Sequence, residues 1–396
     1  MITELPETKS GVLLKGFTFS FFMTNALIIS FFPTYFVSMG FSKTQIGLIY
    51  SIGPTIGIFS NLCWGYISDK YQTLKKTLAA ILVGQLIFAV ILFQINTYGL
   101  LFIAMIFFYF FQTPTNTLND SQLLLYASKK NVSYASYRIW GSIGFATSAL
   151  FFGILLQSEK NHPQLIALLT IATIAISLLL SFSLKDSRTS IRKIEFSEIF
   201  QILMSRKLII FLLLILVLAI AHRTNDAFLS LYLHELGASQ SLIGYSWTVS
   251  SLSEIPIFFL LSRYGERFKE LPLLALASFA YMIRFLLMSV VNDPVYIIAI
   301  QALHSITFGI FLFTAFRYIG QIVPDHYRAS GQAIFTVVWT GLAGLISSLV
   351  GGFIFDHSGG HSVYVFAYIV AFAAGIGFLY AHYRSESLKY SGTESY

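Results

Sequence analysis

Charge is scarce in this chain. Of its 396 residues only 11% are Asp, Glu, Lys or Arg, while 56% are hydrophobic and the mean hydropathy is +0.73. A soluble globular domain carries about a quarter charged residues, so water is not its main solvent. Cysteine is rarer still. Cys63 stands alone inside an apolar segment, which excludes an intrachain disulfide and offers no thiolate metal site. No glycine-rich loop ending in Lys-Ser/Thr occurs, which argues against ATP as the energy source. No serine or cysteine nucleophile motif stands out, so neither an enzyme nor a cofactor is expected. No cleavable signal peptide is expected either: residues 1–9 are polar, and the first apolar run, 12–37, is too long for a signal core.

What the chain has instead is length in apolar runs. Stretches of about twenty apolar residues recur, each long enough to cross ~30 Å of hydrocarbon at 1.5 Å per residue. Twelve spans are read at 12–38, 43–68, 74–96, 98–127, 133–157, 162–184, 207–234, 240–262, 271–291, 294–322, 328–355 and 361–383. Turn and charge signals such as Gly40, Asp69-Lys70, Asp293-Pro294 and Gly359-Gly360 separate them.

Lys and Arg fix an orientation. With the N-terminus inside, nineteen of the twenty-five fall in cytoplasmic segments. Only Lys43 and Lys160 fall outside, and Arg138, Arg223, Arg284 and Arg317 lie within spans. This bias places both termini in the cytoplasm of an inner-membrane protein. It also accounts for the net charge of +7 without a nucleic-acid partner. The basic connection between Lys185 and Lys207, with an amphipathic stretch over 191–204, reads as a linker. The expected division is a six-helix bundle at 1–185, a cytoplasmic linker at 186–207 and a second six-helix bundle at 208–396.

An internal repeat supports that division. A shift of 197 residues, without a gap, lays Gly40 on Gly237, Ser42 on Ser239, Gly47 on Gly244, Asp69 on Glu266 and Lys70 on Arg267. Twelve spans, a central loop and Gly65-x-x-x-Asp69-Lys70 between the second and third spans resemble the major facilitator superfamily. After Lys70 the loop reads Gln72-Thr73 and then Lys75-Lys76, a departure from the usual glycine and basic residue. The run Tyr137-Arg138-Ile139-Trp140-Gly141-Ser142-Ile143-Gly144-Phe145, with Leu303-His304 and Phe316-Arg317-Tyr318-Ile319, is similar to the lactose permease, phenylpropionate permease and nucleoside–proton symporter group. The resemblance covers essentially the whole chain. It implies an all-α fold of two six-helix pseudo-repeats that work by alternating access around a central site.

Ionisable groups at mid-bilayer cost roughly 2.5–3.5 kcal/mol each on insertion scales. This chain places nine there: Asp120, Arg138, His222, Arg223, Asp226, Glu254, Arg284, His304 and Arg317. Asp120 lies nine residues before Lys129, and Arg138 eight after Lys130. Helices on either side of that turn raise both to roughly 12–14 Å above it, near the midplane. Asn116 and Gln112 share the helical face of Asp120, with Asn119 beside it. Such a polar stripe points to solute binding, and an interhelical ion pair is the plain alternative. By resemblance, Asp120 and Arg138 match the carboxylate and arginine that hold sugar hydroxyls, with Asp in place of Glu.

The second half repeats the matched depth. Arg284 lies nine residues before Asp293, and His304 eleven after it. Like charges repel, so His304 is expected to be neutral beside Arg284. By resemblance these two match the arginine and histidine of the proton-coupling machinery. One turn beyond the histidine, that machinery has a carboxylate, and this chain has Thr307. Glu254, nine residues before Arg263, is the substitute proton carrier, because desolvation disfavours the charged form of a carboxyl. Pro256 is placed to kink its helix, and Trp247, two turns earlier, to stack on a solute ring. His222, Arg223 and Asp226 lie close enough on one helix to pair locally. They read as structural or gating groups, as do Asp69, Lys70 and Arg317, and no metal-ligand spacing is present.

The sequence therefore predicts a secondary active transporter, a proton-coupled symporter of a small polar organic solute. Sugars or oligosaccharides come first, then nucleosides or an aromatic acid. A functional monomer in the lipid bilayer is expected. A drug/proton antiporter is the alternative, disfavoured by the polar stripe around Asp120. A membrane sensor is disfavoured by the lack of any added soluble domain.

Overall fold

The computed structural model describes residues 9–158, 162–186, 205–323 and 328–390. Most of the expected linker, its amphipathic stretch included, lies outside them, as do Lys160 and the turn at Pro324-Asp325. The described residues are helical, with no strand.

The first six passes are α1 (Lys9–Ser30) with its continuation α2 (Phe32–Ser38), then α3 (Lys43–Tyr71), α4 (Leu74–Leu92), α5 (Tyr98–Lys130), α6 (Tyr134–Ser158) and α7 (His162–Ser183). The next three are α8 (Arg206–Glu235), α9 (Gln240–Tyr264) and α10 (Glu270–Val290). The tenth joins α11 (Pro294–Gln301) to α12 (Ile310–Ile322) through a π-helical stretch at Ser305–Gly309. The eleventh joins α13 (Arg328–Thr336) to α14 (Ala343–Tyr390) through another at Val337–Leu342. Gly359, at φ 77° and ψ 171°, breaks α14 and starts the twelfth pass.

Ten helical stretches meet the length and hydropathy of a membrane span. One of them, Gly331–Ser385, contains two passes because Gly359 divides it. The twelfth pass to be counted is α9. It is less apolar than the others because it carries six serines, Glu254 and Arg263 among its 25 residues. The sequence reading ran the first span straight from 12 to 38. The helix is interrupted at Phe31, where Pro33 lacks an N–H and its ring collides with the carbonyl four residues back.

The 197-residue repeat is visible in the turns. Gly40 and Gly237 both take φ near +80°, a left-handed conformation that suits glycine. Two residues on, Ser42 accepts a hydrogen bond from the Gln45 amide at 3.2 Å, and Ser239 accepts one from Leu242 at 3.3 Å. Both halves thus start their second helix with the same glycine turn and serine cap.

Two compact units emerge from the packing: Met1–Arg192 with Ala238–Thr248, and Lys193–Gly237 with Val249–Tyr396. In the first, α1 packs on α6 and α7, and α5 on α3 and α4. Its core includes Leu14, Phe17, Leu78, Leu82, Leu118 and Tyr137. Gly141 and Gly144 let α6 close on α1. A Cβ at Gly144 would run into the backbone carbonyl of Phe19, and one at Gly141 into the ring of Phe22. In the second unit, α14 packs on both α8 and α10.

Candidate functional site

In the first unit, an ion pair joins two neighbouring helices. Asp120 on α5 and Arg138 on α6 meet at 3.5 Å between Oδ1 and Nε, with side chains 32% and 31% exposed. About a third of each side chain remains exposed. The guanidinium lies 4.4 Å above the ring of Phe22, which holds it from the apolar side by cation–π attraction. Tyr134 opens α6 one turn before Arg138, on the same helical face.

The neighbouring amides divide. Asn116 is exposed, and Gln112 donates to Asn25 at 2.6 Å. Asn119 is fully buried and accepts from Thr18 on α1 at 3.0 Å, so it faces helix packing and not the Asp120 stripe. Successive residues on a helix sit about 100° apart, which accounts for the separation. Trp247 belongs to the same unit, where its ring meets Phe145 edge-on at 6.1 Å. Asp69 and Lys70 end α3, and Lys70 lies over the Tyr71 ring. The loop beyond them is tied down by Asp186, which accepts from Thr73 at 2.6 Å and from the Lys75 amide at 3.3 Å.

The second unit joins Arg284, His304 and Glu254 into one connected line. Arg284 on α10 is wholly buried. Its Nη1 lies 2.8 Å from His304 Nδ1 and donates to Thr307 at 3.3 Å. Its Nη2 donates to Gln301. His304 Nε2 in turn lies 2.9 Å from Glu254 Oε1 on α9. A guanidinium only donates, so Nδ1 of His304 must accept. The ring is then neutral, with its proton on Nε2 and pointed at the Glu254 carboxylate. Ser250, one turn before Glu254, donates to Gln301 at 3.1 Å and braces the same line.

His222, Arg223 and Asp226 form a second cluster beside it. Asp226 Oδ2 is 3.1 Å from Arg223 Nη1 and 3.3 Å from His222 Nε2. Nδ1 of His222 lies 2.8 Å from the Tyr281 hydroxyl. Arg223 also donates to the Trp339 carbonyl at 3.3 Å and to Thr340 at 3.1 Å. The two clusters touch through rings. His222 and His304 stack at 5.7 Å, and both stack on Phe308, at 4.9 and 5.2 Å. Arg317 stands apart, at the turn after α9. It donates to the carbonyls of Gly265 and Phe268 and pairs with Glu270 at 2.8 Å.

Sequence reasoning missed Tyr134, Tyr281, Gln301 and Phe308. Spacing alone marks three of them: Tyr281 and Gln301 lie three residues before Arg284 and His304, and Tyr134 four before Arg138, all distances that share a helical face.

Twelve helical passes in two repeats, each carrying paired charges within its helices, define a multi-pass membrane transporter. The MFS_1 like family matches residues 12–366, and the chain belongs to it. Over 96% of its length it is 26% identical to the uncharacterized transporter YwbF of Bacillus subtilis (strain 168), covering 94% of that protein. The maltose permease of Geobacillus stearothermophilus is 26% identical over 82% of each chain. The probable 3-phenylpropionic acid transporter of Escherichia coli (strain K12) is 23% identical over 90% of this chain and 94% of its own. In fold, the chain is similar to the crystal structure of nucleoside transporter NupG, with a TM-score of 0.81 at 19% identity over 94% of this chain and 98% of that one. The family is one of secondary transporters that move small molecules, and this chain is read as one of them.

Proposed function

We propose that the chain is a proton-coupled symporter of a small polar organic solute, with Glu254 as the proton carrier. The observation that carries this reading is the line from Arg284 through His304 to Glu254. Glu254 meets a neutral N–H at 2.9 Å, whereas Asp120 and Asp226 each meet an arginine. A carboxylate satisfied by a neutral donor can take up a proton without first displacing a fixed cation. That property suits a group that must load on one side of the membrane and unload on the other.

Solute is assigned to Asp120, Arg138, Asn116 and Tyr134. The pair offers acceptor and donor within 3.5 Å, which matches a hydroxyl-bearing solute. The relatives, a maltose permease and a probable 3-phenylpropionic acid transporter, support the range from sugar to aromatic acid. The halves at 1–185 and 208–396 would alternate access, with both termini cytoplasmic and the monomer as the working unit. The test uses vesicles with an imposed pH gradient and a panel of labelled sugars, nucleosides and aromatic acids. Glu254→Gln mimics the protonated state. It is expected to keep counterflow exchange and to lose uphill accumulation. A variant that accumulates solute with unchanged proton dependence makes Glu254 a packing residue.

A further inference from the structure

We infer that His222, held between Tyr281 and Asp226, is the histidine of the second unit that changes charge, and that His304 stays neutral.

The argument is one of hydrogen-bond direction. Both rings are buried, both present Nε2 to a carboxylate, at 3.3 Å in Asp226 and 2.9 Å in Glu254, and both therefore keep a proton there. They differ at Nδ1. His304 Nδ1 faces Arg284 Nη1 at 2.8 Å, a group with hydrogens and no lone pair to give. A second proton on His304 would turn that bond into a collision of two donors and two positive charges. His222 Nδ1 faces the Tyr281 hydroxyl at 2.8 Å, and a hydroxyl can donate or accept. In neutral His222, Tyr281 donates to Nδ1. In the imidazolium, Nδ1–H donates to the Tyr281 oxygen, and Nε2–H still donates to Asp226. The ring nitrogens keep a partner in both states, and passing between them turns the Tyr281 O–H away from Nδ1.

The surrounding charges accommodate a single added proton. Facing His222 are Asp226 and Arg223 on its own helix, Tyr281 and then Arg284 on α10, and His304 with Glu254 behind it. Tyr364 on α14 reaches the same helix face through Asn225, at 3.3 Å. Two arginines and two carboxylates balance when both imidazoles are neutral. One proton leaves a single net positive charge, next to Asp226. A second one on His304 would stand 5.7 Å away across stacked rings.

The consequence for transport rests on the proton-coupled reading above. The protonation itself is read without transport, so the two can fail separately. The measurement is a 15N spectrum of histidine-labelled full-length protein in phospholipid nanodiscs, titrated from neutral to acid pH. His222→Gln and His304→Gln assign the two signals. The expected result is that His222 passes to the doubly protonated form while His304 keeps one N–H tautomer throughout. A companion variant, Tyr281→Phe, removes the reversible partner. The imidazolium loses an acceptor for a charged donor and the neutral ring loses only a weaker bond, so proton affinity at His222 should fall about tenfold. Titration of His304 in place of His222 overturns the inference, as does a His222 that remains neutral throughout. A Tyr281→Phe protein with an unshifted His222 midpoint removes the role assigned to the hydroxyl.

Discussion

Arg284→Met tests whether the arginine sets the tautomer of His304. The guanidinium is fully buried, and its Nη1 lies 2.8 Å from Nδ1. A hydrogen bond from a charged donor contributes about 1.5–3 kcal/mol. At 1.36 kcal/mol per factor of ten, that biases the ring toward the Nε2–H form by roughly 10- to 150-fold. Methionine fills much of the volume and has no N–H, so the bias should vanish. The same substitution leaves the Gln301 carbonyl and the Thr307 hydroxyl without their arginine donor. Gln301 keeps the Ser250 hydroxyl as a donor at 3.1 Å, whereas the Thr307 oxygen loses its donor at a cost of about 1–3 kcal/mol. Retained counterflow exchange by the purified variant identifies folded protein. The assay is the 15N shift pair of His304 in wild type and variant. Wild type should show a protonated Nε2 and an unprotonated Nδ1, and the variant a mixture of tautomers. A wild-type ring protonated on Nδ1, or a folded variant with an unchanged ratio, refutes the reasoning.

Asp120→Asn and Arg138→Ala should each abolish solute uptake at near-normal expression. If the pair only holds α5 to α6, the double variant Asp120→Ala/Arg138→Ala would instead recover wild-type uptake. Gly144→Ala should destabilise the first unit by about 1–3 kcal/mol in a detergent unfolding titration, because its Cβ meets the Phe19 carbonyl. Gly16→Ala, with nothing within 4 Å of its Cβ, should lose nothing, and equal losses at both sites would contradict the packing account. An alkaline-phosphatase fusion at Thr189 should be inactive, since the Lys/Arg bias puts that connection in the cytoplasm. An active fusion inverts the proposed orientation.

The number and placement of the helices were readable because hydropathy and turn residues act locally. Gly359 ends a helix wherever it lies in the fold, and Pro33 would have marked the break at Phe31 had the apolar run not hidden it. Depth was readable too. Counting residues from Lys129-Lys130 brought Asp120 level with Arg138, and counting from Asp293 brought Arg284 level with His304. Rotation about each helix axis was not readable. Asn119 and Asp120 are adjacent in sequence, yet one turns to Thr18 and the other to Arg138. The same limit hid Tyr281 as the partner of His222, a contact decided by how α10 is turned against α8. Arg317 reads as one more intramembrane charge, but its carbonyl partners at Gly265 and Phe268 place it at the end of its span.

The two π-helical stretches give the second unit an adjustable stagger. A π turn holds one residue more than an α-helical turn, and each residue accounts for about 100° of rotation. Moving such a turn one step along the chain swings a single side chain to a new neighbour and leaves the helix on either side in place. Each stretch is gripped by an arginine, the first through Thr307 and the second through the Trp339 carbonyl and Thr340. Those same arginines hold His304 and Asp226. Phe308, the ring that both histidines share, rides on the first stretch. A change of charge at His222, through Asp226 and Arg223 and through the shared Phe308 ring, is thereby wired to the winding of the helices beside it.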